Sequence, residues 1–215
     1  MSLTVPSVVI VGSNSEIGTW INEFYVSLGI DVIRMSRKDD ADYKYTSLCD
    51  LSQLQDIFRQ IHKSVRTLDT IYYCPGFIGN HSLQQLQWED WKAAIDVNLN
   101  GLFCMYRALF DSGILINVLK IVVLGSTAII SRPKNNAAYA SSKIALETLV
   151  SYINNESPAS VRACCIRLGR CSTDFASSGK NNNFVSKDDM MLVVKHIHEA
   201  RIETMPELIT IRPIV

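Results

Sequence analysis

The chain reads as α/β: a doubly wound parallel sheet of about seven strands with helices on both faces. Three observations predict it. Short, continuously apolar β-rich runs recur along all 215 residues, helical patterns separate them, and a Gly-rich turn follows the first run and opens a helix. A strand covered on both faces is apolar at every position rather than at alternate ones, because neither face meets water. Strand–helix alternation with right-handed crossovers then gives a parallel sandwich.

In chain order, strands are expected at Ser7–Val11, Asp31–Met35, Thr70–Cys74, Lys120–Leu124, Val161–Arg167 and Leu208–Ile211, with a weaker one at Tyr43–Thr46. Helices are expected at Ile17–Leu28, Leu51–His62, Trp88–Leu109, Ala138–Asn154 and Lys187–Ala200. The length suits a single domain over residues 1–215. Ser172–Ser186, with its Ser-Ser-Gly-Lys-Asn-Asn-Asn stretch, is polar and rich in turn formers, and reads as a mobile loop.

Composition narrows the function. Hydrophobic residues make up 47% and charged residues 20%, an ordinary globular balance. Lys plus Arg and Asp plus Glu are 21 each, so the formal net charge is zero. No basic stripe recommends nucleic acid or an anionic membrane as a partner. The apolar runs Val5–Val11 and Leu115–Leu124 are too short to span a bilayer. The N-terminus has neither the charged flank nor the small-residue cleavage site of a signal peptide, so a cytoplasmic location is expected. The 6 cysteines include no Cys-x-x-Cys, and adjacent Cys164-Cys165 reads as strand filler, which fits reduced thiols. No metal site is expected at His196-x-His198, since residues two apart do not share a helix face.

Two motifs carry chemistry. Tyr139-Ala-Ser-Ser-Lys143 places a phenol and an ammonium on one helix face. A phenol titrates near 10, too high for neutral-pH proton transfer, and a neighbouring ammonium is expected to pull it down. Ser126, from Leu124-Gly125-Ser126, is a hydroxyl able to hold a carbonyl oxygen beside that phenol. The second motif is Gly12-Ser13-Asn14-Ser15-Glu16-Ile17-Gly18. Small residues let the backbone approach a phosphate, and the helix start supplies N–H donors and positive dipole. Glu16 reads equally as an acid favoured at a helix start.

From Val8 to Thr173 these landmarks together resemble the short-chain dehydrogenase/reductase family, whose fold is Rossmann-type. The family's glycine motif is met at Gly12 and Gly18, with Glu16 where its middle glycine is expected. Its adenine-contacting Asp is similar to Asp50, followed by Leu51, and its Asn-Ala-Gly is reduced to Cys74-Pro75-Gly76, where only Gly76 matches. Its active-site Asn, Ser, Tyr and Lys fall on Asn98, Ser126, Tyr139 and Lys143, and its later Gly and Thr on Gly169 and Thr173.

The resemblance implies hydride transfer between a nicotinamide and a carbonyl or alcohol carbon of a small-molecule substrate. Tyr139 would be the proton donor or acceptor, Lys143 would tune it and hold the nicotinamide ribose, Ser126 would hold the substrate oxygen, and Asn98 would anchor a water. The cofactor would lie on Gly12, Ser13, Asn14, Ser15, Ile17 and Gly18, with Asp50, Leu51, Gly76, Asn98, Tyr139, Lys143, Gly169 and Thr173 along it. At the end of the second strand the family's acidic position falls on Ser36, followed by Arg37 and Lys38, cations suited to a 2′-phosphate. NADP is therefore expected, with NAD possible, although Ser15 replaces a basic residue often seen in NADP-preferring relatives and Asp39 and Asp40 lean towards NAD. The alternative is an NAD(P)-binding regulator without turnover. Relatives pair their corresponding helices across a dimer axis, so a homodimer or homotetramer is expected, using Trp91, Leu102, Phe103, Leu146, Leu149 and Val150. Ser172–Ser186 is expected to act as a flap over an open site; Phe175, Phe184, Met190 and Met191 read more as core or loop anchors than as its lining.

Overall fold

With apolar side chains on both faces, the first strand has no wet side and ends up in the middle of the sheet. A computed structural model describes residues 7–65, 67–113, 118–171, 173 and 184–213. In chain order the elements are β1 (Ser7–Val11), α1 (Glu16–Ser27), β2 (Val32–Ser36), β3 (Tyr43–Lys44), α2 (Leu51–Ser64), β4 (Leu68–Tyr73) and α3 (Trp88–Ile95). There follow α4 (Gly101–Asp111), β5 (Leu119–Ser126), α5 (Ala128–Ser131), α6 (Ala137–Glu156), β6 (Val161–Leu168), α7 (Lys187–Glu199) and β7 (Leu208–Ile211). The strands form one 7-stranded sheet in the order β3-β2-β1-β4-β5-β6-β7, each pairing parallel. After β1 the chain runs outward to β2 and β3, then returns to β1's other side as β4. That reversal opens a crevice beyond the carboxyl ends of β1 and β4, where doubly wound sheets take ligands.

Alternate residues of each strand feed two cores. Val9, Val11, Ile71, Tyr73 and Val123 pack under α2, α4 and α6; Val8, Ile10, Tyr72 and Val122 pack under α1 and α7. Cys165 and Cys164 divide the same way, both buried, as expected of strand filler. Among the described residues no helix is long and apolar enough to cross a membrane.

Strand ends differ from the expected ones by a residue or two, and the Tyr43–Thr46 run contracts to two paired residues. The expected helix Trp88–Leu109 is instead α3 and α4 joined by a π-turn at Asp96–Asn100, and it continues to Asp111. The short α5 and a 3-10 turn at Ile202–Thr204 were not foreseen, being too short to show a period. Leu102, Leu146 and Val150 are not left over for a partner subunit. Each is at most 1% exposed, because α4 and α6 bury a stripe wider than one row of side chains. Trp91 and Leu149 are partly buried, while Phe103 is exposed. Of the expected flap only Thr173 and residues 184–186 are described, and Phe175 lies outside the described residues. Phe184 is partly buried; Met190 is buried in the core under α7 and Met191 packs against it.

Asn154 shows how α6 is fastened to the sheet. Its Nδ2 donates to the Ala163 carbonyl (2.9 Å) and its Oδ1 accepts the Ala163 N–H (2.7 Å). β7 pairs with β6 only from Cys165 onward, so the amide replaces a neighbouring strand at Ala163. Asn154→Ala leaves two backbone groups unpaired and is expected to cost about 2 kcal/mol, read as a lower urea midpoint with an unchanged slope.

Candidate active site

The turn after β1 is shaped by close approach. Gly12 has φ +77°, and a Cβ there would meet the Pro75 ring at 3.1 Å. A Cβ on Gly18 would come within 2.6 Å of the Gly12 carbonyl. Ser15 caps α1, its Oγ accepting the Gly18 N–H at 3.0 Å and donating to Gly12 O at 2.8 Å. The positive end of α1 thus faces the crevice through Asn14, Ser15, Glu16 and Ile17.

At the end of β2, Arg37 and Lys38 are exposed on the cleft wall. The nearby acids are engaged elsewhere. Asp39 pairs with Lys44, Asp42 with Arg34 at 3.0 Å, and Asp40 accepts the Asn14 amide at 2.9 and 3.0 Å.

The floor is fixed by the π-turn. Gly101 N–H donates to Asp96 O, five residues back, which leaves the Val97 carbonyl to accept the Tyr73 hydroxyl from β4. A Cβ on Gly101 would lie 2.3 Å from that hydroxyl, so only glycine fits. The turn aims the fully buried Asn98 at the loop after β4. Its Oδ1 accepts Phe77 N–H (2.8 Å), and its Nδ2 donates to Phe77 O (2.9 Å) and Ser142 Oγ (2.8 Å). Ser142 in turn donates to Tyr139 O at 2.8 Å.

Ser126 ends β5, and Tyr139 and Lys143 lie one turn apart on α6. The Lys143 ammonium sits over the Tyr139 ring, 5.6 Å from its centroid, and donates to Leu124 O at 2.8 Å. Ser126 Oγ accepts the Ala128 N–H at 3.1 Å and is hydrogen-bonded to the Tyr139 phenol. Burial raises the phenol's pKa, with the Ser126 bond working against it. Burial pulls Lys143 down to about 8, against the weaker opposite influence of Cys165 and Cys74. The expectation that the ammonium lowers the phenol's pKa is therefore corrected: among the protein's own groups, desolvation dominates, and the phenol is held in its protonated form.

The cleft has a volume of about 1130 Å³. That exceeds the ~300–1,000 Å³ typical of a single small ligand and leaves room for a dinucleotide with a substrate beside it. A turn that a Cβ would fill, facing a helix start, also fits a pyrophosphate.

A family model for short chain dehydrogenases matches residues 6–183. The chain belongs to the short-chain dehydrogenase/reductase family. As a member it is a nicotinamide-dependent oxidoreductase. An uncharacterised oxidoreductase of Staphylococcus saprophyticus is 21% identical, the match covering 96% of each chain. The fold is shared with an alcohol dehydrogenase of Thermococcus sibiricus complexed with 5-hydroxy-NADP (TM-score 0.83, 20% identity, 97% of each chain). It is shared also with a 3-ketoacyl-(acyl-carrier-protein) reductase of Brucella melitensis complexed with NADH (TM-score 0.83, 14% identity, 98% of each chain).

In this dehydrogenase Gly12, Asn14, Ser15, Ile17, Arg37, Gly76, Ser126, Tyr139, Lys143, Gly169 and Thr173 all line one cleft. Others named from the sequence stand off its wall. Asp50 is the N-cap of α2, accepting Gln53 N–H at 3.0 Å and the Ser52 hydroxyl at 2.8 Å, and Leu51 packs against the core. Ser13 turns its hydroxyl to Met35 O, and Gly18 is buried against the turn. Both amide hydrogens of Asn98 go to protein acceptors, Phe77 O and Ser142 Oγ. Sequence reasoning missed Pro75 over Gly12, Tyr73 behind the π-turn, Ser142, and the cleft-lining Lys134 and Arg170. Only Ser142, inside the Tyr-x-x-x-Lys motif, carried a signal that was there to be read.

The depressed Lys143 pKa has a sign that can be checked. Between about 8 and 10.5 the folded lysine holds fewer protons than the unfolded one, so its contribution to stability rises with pH across that window. Replacing it by Met is expected to raise nucleotide-free stability at neutral pH by about 2 kcal/mol, the desolvation relief of about 3 less the lost hydrogen bond. The advantage should shrink above the folded pKa of about 8; urea midpoints at several pH values read it.

Proposed function

We propose that this enzyme reduces a small carbonyl compound to the alcohol, or runs the reverse, with NADP(H) preferred over NAD(H). The observation that carries the reading is the Tyr139 phenol, protonated and hydrogen-bonded to Ser126, beside the buried Lys143 ammonium. Bound nicotinamide supplies or takes the hydride. Ser126 already accepts the Ala128 N–H, which orients its oxygen, and holds the substrate oxygen as a fixed donor. Tyr139 gives its proton to that oxygen as the carbonyl carbon is reduced, and takes one back in oxidation. Lys143 steadies the phenolate this leaves behind and holds the nicotinamide ribose. Asn98 fixes the Phe77 loop and the backbone of Tyr139 together.

The glycine turn and α1 hold the pyrophosphate, and Arg37 with Lys38 takes the 2′-phosphate, since Asp39, Asp40 and Asp42 are engaged elsewhere. The cysteines, including exposed Cys49, stand as thiols, which fits the cytoplasm. Exposed Phe103 on α4 with Ile144 and Tyr152 on α6 supplies the face for a homodimer or homotetramer.

Tyr139→Phe is expected to lower kcat by about 10²–10⁴-fold while NADPH binding, followed by fluorescence titration, is kept. Retention of full turnover would remove the assigned role, and binding without turnover by the unmodified enzyme across aldehydes, ketones and quinones would favour a regulator. Arg37→Ser with Lys38→Ser should raise KM for NADPH about 10- to 100-fold and leave NADH nearly unchanged. Equal effects on both cofactors would reject the 2′-phosphate assignment.

A further inference from the structure

We infer that the substrate half of the cleft is built for a carbonyl compound bearing a carboxylate, an oxo acid or the matching hydroxy acid, recognised by Lys134 and Arg170. This rests on the reductase reading above and names its substrate class.

The first support is charge segregation. The chain's formal net charge is zero, yet among the described residues the cleft is lined by Arg37, Lys38, Lys134, Lys143 and Arg170 against only Glu16 and Asp96. Asp96 is already bound to Lys92 and Asn100, and Glu16 stands on the α1 side. Lys143 belongs to the catalytic group. Arg37 and Lys38 lie beyond β2, whereas Lys134 follows β5 and α5, and Arg170 follows β6. β2 and β5 are separated by β1 and β4, so their tips stand roughly 14 Å apart, at ~4.8 Å per strand. One anionic group cannot satisfy both poles. A 2′-phosphate at β2 leaves the second pole to another anion, on the side of Ser126 and Tyr139.

The second support is how that pole is held. Lys134 lies between Arg132 (φ +46°) and Asn135 (φ +65°), the only non-glycine residues with left-handed backbone among those described. Such conformations persist where the surroundings over-determine them, and they concentrate at ligand sites. Arg170 is pinned through its backbone: its carbonyl accepts Val185 N–H at 2.8 Å, next to a Gly169 whose N–H donates to Ile211 O at 2.7 Å. Neither side chain forms an ion pair among the described residues. A guanidinium fork matches a planar carboxylate in two parallel hydrogen bonds, and an ammonium adds a point charge. A carbonyl at Ser126 and Tyr139 with its carboxylate towards Lys134 and Arg170 satisfies both ends of the site.

The test uses the whole enzyme with NADPH and NADH in parallel. Initial rates are measured on short oxo acids, with the carbonyl alpha, beta or gamma to the carboxylate, and on their methyl esters. The best acid is expected to exceed its ester in kcat/KM by about 10- to 100-fold, the worth of a charge-assisted hydrogen bond. Lys134→Gln with Arg170→Gln should bring that ratio towards one by raising KM for the acid, with NADPH affinity as the check on folding. Esters turned over as well as their acids, or a variant that slows both alike, would overturn the carboxylate assignment. Reduction of neutral ketones alone sinks the assignment and leaves the reductase reading intact. Bound NADPH with no turnover of any carbonyl compound sinks both.

Discussion

A single hydroxyl on the fourth strand sets much of the cleft. Tyr73 donates to the Val97 carbonyl, and that carbonyl is open to it because the Gly101 N–H reaches back to Asp96. The π-turn this stabilises swings Asn98 inward, where one amide ties the Phe77 loop to Ser142 on α6. Ser142 completes the chain at the backbone of Tyr139. Cleft floor and the helix carrying Tyr139 and Lys143 are therefore positioned by one buried network, every member of which finds a partner. Such networks rigidify when satisfied and are costly when broken. π-turns recur at functional sites because they re-aim one residue without ending the helix.

The electrostatics of the site follow from burial more than from pairing. A phenol and an ammonium share a helix face, and proximity alone would have each favour the other's charged form. Desolvation pushes the other way on both, raising Tyr139 and lowering Lys143. The outcome is a neutral phenol beside a lysine that titrates close to physiological pH. In the proposed mechanism that phenol is the proton donor to a developing alkoxide, and the cation beside the phenolate it leaves is only weakly solvated. The departures from the family's pattern have structural sense too. Pro75 lies against Gly12, its ring 3.1 Å from where a Cβ on that glycine would stand, so the two pack closely at the turn.

The sheet, its helices and the Ser126, Tyr139 and Lys143 group were legible in the sequence, because their signals are local. Continuous apolar runs mark doubly covered strands, a glycine turn marks a helix start, and a spacing of four marks one helix face. Asp50 carries two local readings at once. Its position in the sequence fits an adenine contact, and a short acid before a helix is also a good N-cap, which its side chain is here, accepting the Gln53 N–H.

What the sequence determined alone was the order of elements and the meeting of Ser126, Tyr139 and Lys143 in one group. The tertiary structure decided what no local pattern encodes. It broke Trp88–Leu109 at a π-turn through a hydroxyl 24 residues away, buried Leu102, Leu146 and Val150 in the core, and reversed the expected shift of Tyr139. It also brought Lys134, from the loop after α5, and Arg170, from the loop after β6, to the same cleft. Each of these depends on desolvation and on contacts between segments distant in the chain, and both exist only once the sheet has closed.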